Sequence, residues 1–534
     1  MRRTLAALAT LCLGTARLLA QAGGRGAEPL PVWGEVFVGS EAESYLRDLQ
    51  LIGAVPLYPW SLRSLSQGEV LRLAPHDSTL PWARRYTFGS KSSARIALVR
   101  PVVTARWNSA FPFGANDGAV WAGRGVTGAI AAGVAAAYGP VSVTVAPLAF
   151  RAQNAFVSLM PTGDTGRLAF RDAFFGGIDL PQRFGDRPYG MVDPGQSTIR
   201  VDGFGLAAGF STANLAWGPA REFPILFGNN AAGFPHAFLG TSGPVDLRVV
   251  RLHARIVWGK LYQSAYAGDT AGGGLRFGAG ALVVLTSVHM PGLEIGVARF
   301  THRVWRGGGP TLSDLLVPLR YQYRGNVTLA VNDNQLASAF FRWVLPRSGF
   351  EVYGEYGRDD YNQNLRDFVE EPDHIGGYTV GIAKAFRAGP IMRVFRFEVQ
   401  NLQFSVLAQG RGWAPFYTSG SISQGHTNRG QVLGSYAGLG GAGAIAAFDI
   451  YRPSGRWSFS WSRVLRRQRG DFATTGQPDP KGLDVVHALG ANALFFRRRY
   501  DITAGLTGVY EFSRDFGHDV FNLNASLGMQ LGWK

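Results

Sequence analysis

VFNLNASLGMQLGWK, residues Val520 to Lys534, decides the fold. Phe521, Leu523, Ala525, Leu527, Met529, Leu531 and Trp533 fall on one face of an extended strand; Asn522, Asn524, Ser526, Gly528, Gln530 and Gly532 fall on the other. Such period-two alternation marks a strand with two unlike sides. An apolar face ending in an aromatic beside the terminus fits a strand with lipid on one side and water on the other, as in the closing strand of a bacterial outer-membrane barrel. In hydrocarbon an open sheet edge leaves backbone N–H and C=O groups unpaired, so this strand must pair with the first. An amphipathic strand of a soluble β-sandwich is the alternative.

Working outward, strand patterns run roughly over 88–106, 119–138, 141–150, 199–212, 247–264, 275–288, 293–304, 335–345, 349–358, 376–386, 392–403, 431–451, 456–465, 483–496, 500–512 and 519–533. That is about sixteen, the even number that bacterial barrels require. Tight turns at Gly139-Pro140, His289–Gly292, Pro346–Ser348, Arg387–Pro390, Pro453–Gly455 and Arg497–Arg499 alternate with long loops over 151–198, 305–334, 359–375, 404–430 and 466–482. Short periplasmic turns and long outer loops are the barrel pattern. Counting back from the C-terminus by parity puts both chain ends on the periplasmic side. It puts 213–246 there too, as an insert folded up into the lumen. Gly125–Phe150 carries no charge and has the length of a membrane helix, but Gly139-Pro140 cuts it, so a hairpin is expected.

Met1–Ala22 reads as a secretory signal, with Arg2 and Arg3, an apolar run from Leu5 to Leu19, and Ala20-Gln21-Ala22 as cleavage site. The single cysteine, Cys12, lies inside it, which leaves the mature chain without disulfides or thiolate chemistry. Losing Arg2, Arg3 and Arg17 lowers the net charge from +16 to +13. A basic exported protein meets anionic glycan or lipopolysaccharide rather than nucleic acid. Residues 23–87 differ from the barrel at 88–534. Ser40-Glu41-Ala42-Glu43 and Ser66-Gln67-Gly68-Glu69 have the capping-box form, and Gly53 sits where a helix-ending glycine belongs. Two short helices follow, too small to fold alone. They need something to pack against.

Charges decide which strand faces point inward, since Arg or Lys facing the bilayer midplane costs about 2–4 kcal/mol. Arg251, His253 and Arg255 oppose an apolar face on one strand; Glu351 and Glu355 do so on a second, and Arg396 and Glu398 on a third. A lumen lined with both signs predicts a salt-bridged, filled interior.

The segment singled out by parity holds Trp217-Gly218-Pro219, then Ile225-Leu226-Phe227-Gly228-Asn229-Asn230-Ala231, then Gly233-Phe234-Pro235. This resembles the hallmark of the Wzi-type capsule-assembly outer-membrane proteins, with Gly228 in place of the usual Ser and Gly233 where Pro is common. Val38-Gly39-Ser40, Tyr45-Leu46 and Leu51-Ile52-Gly53 resemble that family's opening, and Glu351–Asp360 resembles its later E-x-Y-x-E-Y strand. The matches are scattered over roughly 35–390. The resemblance implies a large outer-membrane barrel of around eighteen strands with a helical periplasmic plug, and a lectin-like role in holding capsular polysaccharide; the barrel is expected to be monomeric. A missed strand pair is expected in 88–106, 247–264 or 431–451. Trp217, Gly218, Pro219, Asn229, Asn230 and Pro235 are read as structural plug residues, tight turns with an anchoring indole, in preference to ligand contacts.

No chemistry beyond binding is legible. Gly123–Gly128 and Gly438–Gly443 fit G-x-G-x-x-G but open no helix. No G-x-S-x-G occurs, and the nine histidines show no H-x-x-x-H pair, so no cofactor, metal site or catalysis is expected. Aromatics stack on sugar faces and arginine pairs with uronate or phosphate. Candidates for glycan contact are Trp305, Arg306, Arg320, Tyr321, Tyr323 and Arg324 in one outer loop, and Trp413, Tyr417, His426 and Arg429 in another. Girdle aromatics and lipopolysaccharide-contacting arginines are an equal reading of the same residues. The favoured function is a surface lectin for capsular or extracellular polysaccharide; the alternatives are a plugged or gated channel for small anionic or sugar solutes, and a barrel-embedded hydrolase acting on lipid or glycan through a Ser-His-Asp set assembled in space.

Overall fold

The computed structural model describes residues 30–32, 35–83, 85–88, 94–268, 274–305, 307–319, 333–360, 365–403, 415–468 and 482–532. The expected signal at 1–22 and Trp533 lie outside them. Eighteen antiparallel strands close into a barrel. They are β1 (Ala94–Asn108), β2 (Gly125–Tyr138), β3 (Val141–Val145 and Leu148–Ala152), β4 (Tyr189–Asp193 and Thr198–Gly203), β5 (Leu206–Ser211) and β6 (His236–Thr241 with Val245–Asp246). There follow β7 (Val250–Tyr262), β8 (Leu275–Ser287), β9 (Leu293–Val304), β10 (Asp333–Leu345), β11 (Phe350–Asp359) and β12 (Gly376–Ala388). The last six are β13 (Ile391–Asn401), β14 (Ala442–Arg452), β15 (Gly455–Gln468), β16 (Leu483–Phe496), β17 (Tyr500–Phe512) and β18 (Val520–Leu531).

The closing strand pairs with the first, Asn524 opposite Asn108 and Gln530 opposite Val102. Its polar face turns inward and its apolar face outward: Asn522 and Asn524 are buried, whereas Phe521, Leu527 and Met529 are exposed. The seam is locked by amides. Asn524 Nδ2 donates to Asn108 Oδ1 at 2.7 Å, while the Asn108 amide donates to the Phe113, Ala122 and Gly123 carbonyls. Gly125–Phe150 is a strand hairpin turning at Gly139-Pro140.

The count of sixteen falls short in places the sequence did not indicate. Stretch 199–212 is a hairpin, β4 to β5, turning at Phe204 and Gly205, both at positive φ. Residues 236–241 form β6, paired to β5 and β7. Among the described residues, stretches 88–106, 247–264 and 431–451 hide no additional barrel pair: β7 is one strand, Gln431–Val432 pairs only with Thr427–Asn428 outside the barrel, and β14 begins at Ala442. One uncounted strand lies on each side of the insert, β5 before it and β6 after it, and that single-strand offset reverses the parity of the connection. The inward insert is therefore 212–235 rather than 213–246, and it leaves β5 at the long-loop end of the barrel, not the periplasmic end. Both barrel ends, at Ala94 and Leu531, stay on the short-turn side.

The plug fills the short-turn half. Helix α1 (Glu41–Leu51) starts at Ser40, whose hydroxyl accepts the Glu43 amide at 3.2 Å. The expected box is displaced by one residue, because the Glu43 carboxylate takes the Gly39 amide at 2.6 Å. Gly53, at φ +66°, ends α1 as expected. Helix α2 (Gln67–Arg72) has its box closed, with the Ser66 amide donating to Glu69 at 2.8 Å. Tyr45, Leu46, Leu49, Trp60 and Trp82 pack against Ala385, Met392, Tyr451 and Leu494 of the wall, all within a few residues of short turns. The insert fills the other half, where Trp217, Phe227 and Phe234 pack on Val257, Leu282, Phe300 and Leu336.

Candidate functional site

The three motifs that carried the family resemblance meet in space. Ala216 and Trp217 pair as a short strand with Arg63 and Leu62 of the plug. The Gly218 amide donates to Ser61 O at 2.9 Å, and its φ of +92° and a 2.6 Å approach of Glu355 Oε2 to where a Cβ would stand exclude a side chain. Arg47 of α1 donates to Pro219 O at 2.7 Å and to Glu351 at 3.1 Å. Arg221 of the insert bridges Glu351 at 2.9 Å and Asp48 at 2.8 Å. Arg342 of the wall pairs with Glu351 as well. Glu398 accepts three successive insert amides, Arg221, Glu222 and Phe223, and the Tyr353 hydroxyl. Arg396 spans Asp449 and Glu222, each at 2.9 Å. Trp217, Gly218, Pro219, Glu351, Glu355, Arg396 and Glu398 therefore form a joint that ties plug, insert and wall together.

Two further inward charges belong to the plug seat. His253 bonds Glu69 at 3.2 Å and Thr241 at 2.6 Å, and Arg255 lies over the Phe238 ring at 5.1 Å. Burial alone would push the Glu69 carboxyl up; the His253 contact and the charges of Arg200 and Arg255 outweigh it and hold the group well below its ordinary range. Arg251 does not join the interior. It lies half-exposed at the short-turn mouth, 3.5 Å from Asp246.

At the long-loop end the insert meets the first outer loop, residues 109–124. Asn229 Nδ2 donates to Asn116 O at 2.7 Å, and the Gly118 amide donates to Asn229 O at 2.6 Å. Asn229 also packs against Gly39, so a third motif reaches the plug. Asn230 donates to Val432 O at 3.0 Å, and Gln431 returns a bond to Asn230 O at 3.2 Å. Between these elements lies a cleft of about 90 Å³, lined by Pro112, Asn116, Asp117, Trp121, Asn230 and Gln431. That is room for several water molecules, or for one edge of a sugar ring. Trp121 is half-buried, with its indole set edge-on against Phe184 at 5.2 Å. Asn116 Oδ1 accepts no hydrogen bond among the described residues. The cleft thus combines an aromatic wall with amides and a carboxylate, Asp117, that is paired with Arg106.

The glycan candidates read from the sequence divide. Arg306, Arg320, Tyr321, Tyr323, Arg324 and Trp413 lie outside the described residues. Tyr417 is no surface platform: fully buried, it stacks on His426 at 5.7 Å and donates to Ile225 O at 2.8 Å. An aromatic in an outer loop serves equally as core when the loop folds inward. His426, donating to Leu226 O at 2.7 Å, is held down to about 4 by burial. Arg429 pairs with Asp193 and lies 5.3 Å from the Tyr262 ring. Trp305 stays at the rim, 4.9 Å from Lys260 Nζ. Pro235 accepts the Lys260 amide at 3.0 Å, anchoring the insert's exit to β7. Trp121, Asn116 and Gln431 were not singled out in the sequence; the only signal was the Asn116-Asp117-Gly118 turn.

No protein-family model matches the chain, and no curated protein matches it. Among solved structures it is similar to Wzi of Escherichia coli, described as an outer-membrane protein involved in group 1 capsule assembly and a carbohydrate-binding β-barrel. The TM-score is 0.61 at 14% identity, covering 94% of this chain and 100% of that one. It is also similar to OccK2 of Pseudomonas aeruginosa, with a TM-score of 0.39 at 9% identity over 82% of this chain and 96% of that one. The chain thus shares its fold with Wzi, from the family that its Trp217 and Glu351 motifs resemble.

Proposed function

We propose that this chain is a Wzi-type barrel of the bacterial outer membrane that holds extracellular or capsular polysaccharide at the cell surface through its outer loops, as a binding protein without catalytic turnover. The observation that carries this reading is the Trp121 cleft, set at the long-loop end of a barrel whose bore is occupied by its own insert and plug. A half-buried indole offers a sugar face an apolar surface, and the Asn116, Asn230 and Gln431 amides offer hydroxyls both donors and acceptors. The carbohydrate binding described for Wzi, the same fold, supports the assignment. The occupied bore weighs against a diffusive channel.

The test is retention of the host's own surface polysaccharide, and of a glycan array, by purified protein. Wild type retains a glycan, and Trp121→Ala weakens it tenfold or more while the folded barrel survives. Steady open-channel current in planar bilayers, together with no glycan retention, overturns the reading in favour of a channel.

A further inference from the structure

The described part of the connection after β9, residues 305 and 307–319, lies back against the outside of the wall. Among the described residues it runs from Trp305 through a single helical turn, Leu312–Leu315, into Val317–Leu319. Trp258 Nε1 donates to Leu315 O at 2.8 Å, Arg299 donates to Val317 O at 3.4 Å, and Arg303 pairs with Asp314. These anchors all point away from the lumen. On β7 it is Val257 and Leu261 that join the interior core, and on β9 it is Phe300 and His302 that face the insert and His426. Alternation puts Trp258, Arg299 and Arg303 on the opposite, lipid-facing side. There the loop covers wall that lipid would otherwise meet: Phe277 and Ala279, on that outward face of β8, are only 6% and 1% exposed.

The loop then presents an apolar surface of its own. Leu312 is 73% exposed and Leu319 67%, and Leu316 stands between them. This surface continues the bare wall below it, where Ile295, Val297 and Phe341 are exposed. Arg303 lies eight residues along β9 from Ile295, roughly 20 Å up the membrane normal at ordinary strand rise and tilt. The ledge therefore occupies the outer half of the lipid-facing wall. At its upper edge sits Lys260, outward on β7 in the same row as Phe277 and Arg303. Its ammonium is 4.9 Å from the Trp305 ring and 5.6 Å from Tyr262, with no carboxylate within ion-pair distance among the described residues. Arg303 is already neutralised by Asp314, which leaves Lys260 to meet an external anion.

We propose that residues 312–319 and Lys260 form a lipid ledge: the leucines seat among acyl chains of the outer leaflet, and Lys260 pairs with the phosphate of a phosphorylated glycolipid standing beside them. Acyl chains below and an anionic phosphate above match an apolar shelf with an uncommitted cation at its rim. The inference rests on the membrane-barrel fold and is independent of the glycan reading.

Nitroxide labels on Leu312→Cys and Leu319→Cys, in full-length protein with Cys12 replaced and reconstituted in liposomes, test the seat. Val297→Cys is the lipid reference and Ser421→Cys the aqueous one. Both ledge labels are expected to collide preferentially with oxygen over a water-soluble nickel chelate, as the Val297 label does. Accessibility like that of the Ser421 label overturns the proposal. For the headgroup, native mass spectrometry compares retention of bisphosphorylated and dephosphorylated lipid A. Wild type prefers the phosphorylated form by tenfold or more, and Lys260→Gln, with heat-modifiable mobility showing it folded, loses most of that preference. Undiminished preference in Lys260→Gln overturns the phosphate assignment.

Discussion

Replacing Glu351 by Gln tests what seats the plug. Its carboxylate is fully buried and takes Arg47 from α1, Arg221 from the insert and Arg342 from the wall. Arg221 keeps a second partner in Asp48 at 2.8 Å, and Arg342 keeps Glu294 at 3.2 Å. Among the described residues Arg47 keeps no carboxylate, only the Pro219 carbonyl and the Tyr353 ring at 5.1 Å. Burial and the neighbouring Arg221 already hold the Arg47 guanidinium down to about 9, against the pull of Glu351. Gln has nearly the same volume, so the perturbation is one uncompensated buried charge, centred on α1. Breaking such a pair costs about 3–5 kcal/mol. At about 1.4 kcal/mol per tenfold change, the opening equilibrium of α1 rises by roughly 150- to 4,000-fold. Amide hydrogen exchange of 45–51 in nanodiscs reads this directly, with the barrel strands as internal reference. Glu41→Gln is the control: its pair with Arg456 is partly exposed and worth about 1 kcal/mol or less. Unchanged α1 protection in Glu351→Gln would refute the reasoning, because apolar packing of Tyr45, Trp60 and Trp82 would then suffice.

Three further outcomes are expected. Gly218→Ala forces a side chain at φ +92° onto Glu355, and loosens the plug–insert joint by about 2 kcal/mol, measured as exchange at Ser61–Arg63 and Gly218. His426 is neutral in the folded protein, with its ionisation near 4 against an ordinary 6.5. The unfolded chain alone binds the proton between those values, so stability is complete above pH 6.5 and falls by about 3 kcal/mol toward pH 4; exchange of 424–432 at pH 7 and 4.5 follows it, and His426→Gln removes this part of the slope. Asn108→Leu strips the seam amides of Asn522 and Asn524 of their acceptor and frees loop 109–124, lowering the temperature at which the folded band is lost in heat-modifiability gels.

Strand faces were legible because hydrocarbon excludes charge. Arg255 opposite Ile256, or Glu351 opposite Val352, leaves one orientation open, and the structure adopts it. β5 and β6 were not legible, for the same reason in reverse. Each main segment has six residues; β5 is uncharged Leu-Ala-Ala-Gly-Phe-Ser and β6 has glycine next to last, so neither carries a charge alternation that separates inside from outside. Topology is a count, and one uncounted strand on each side of the Trp217 insert separates the expected mouth of the barrel from the actual one. The candidate site failed differently. Trp121 and Asn116 come from one loop, while Asn230 and Gln431 come from segments more than a hundred and more than three hundred residues away. Their meeting depends on that same strand count. Loop aromatics were ambiguous one by one. Tyr417 went into the core, Trp121 to the cleft and Trp305 to the outer rim, although all three sit in outer loops. What separates them is the register of the strands that launch and receive each loop, and register belongs to the closed barrel rather than to any stretch of it.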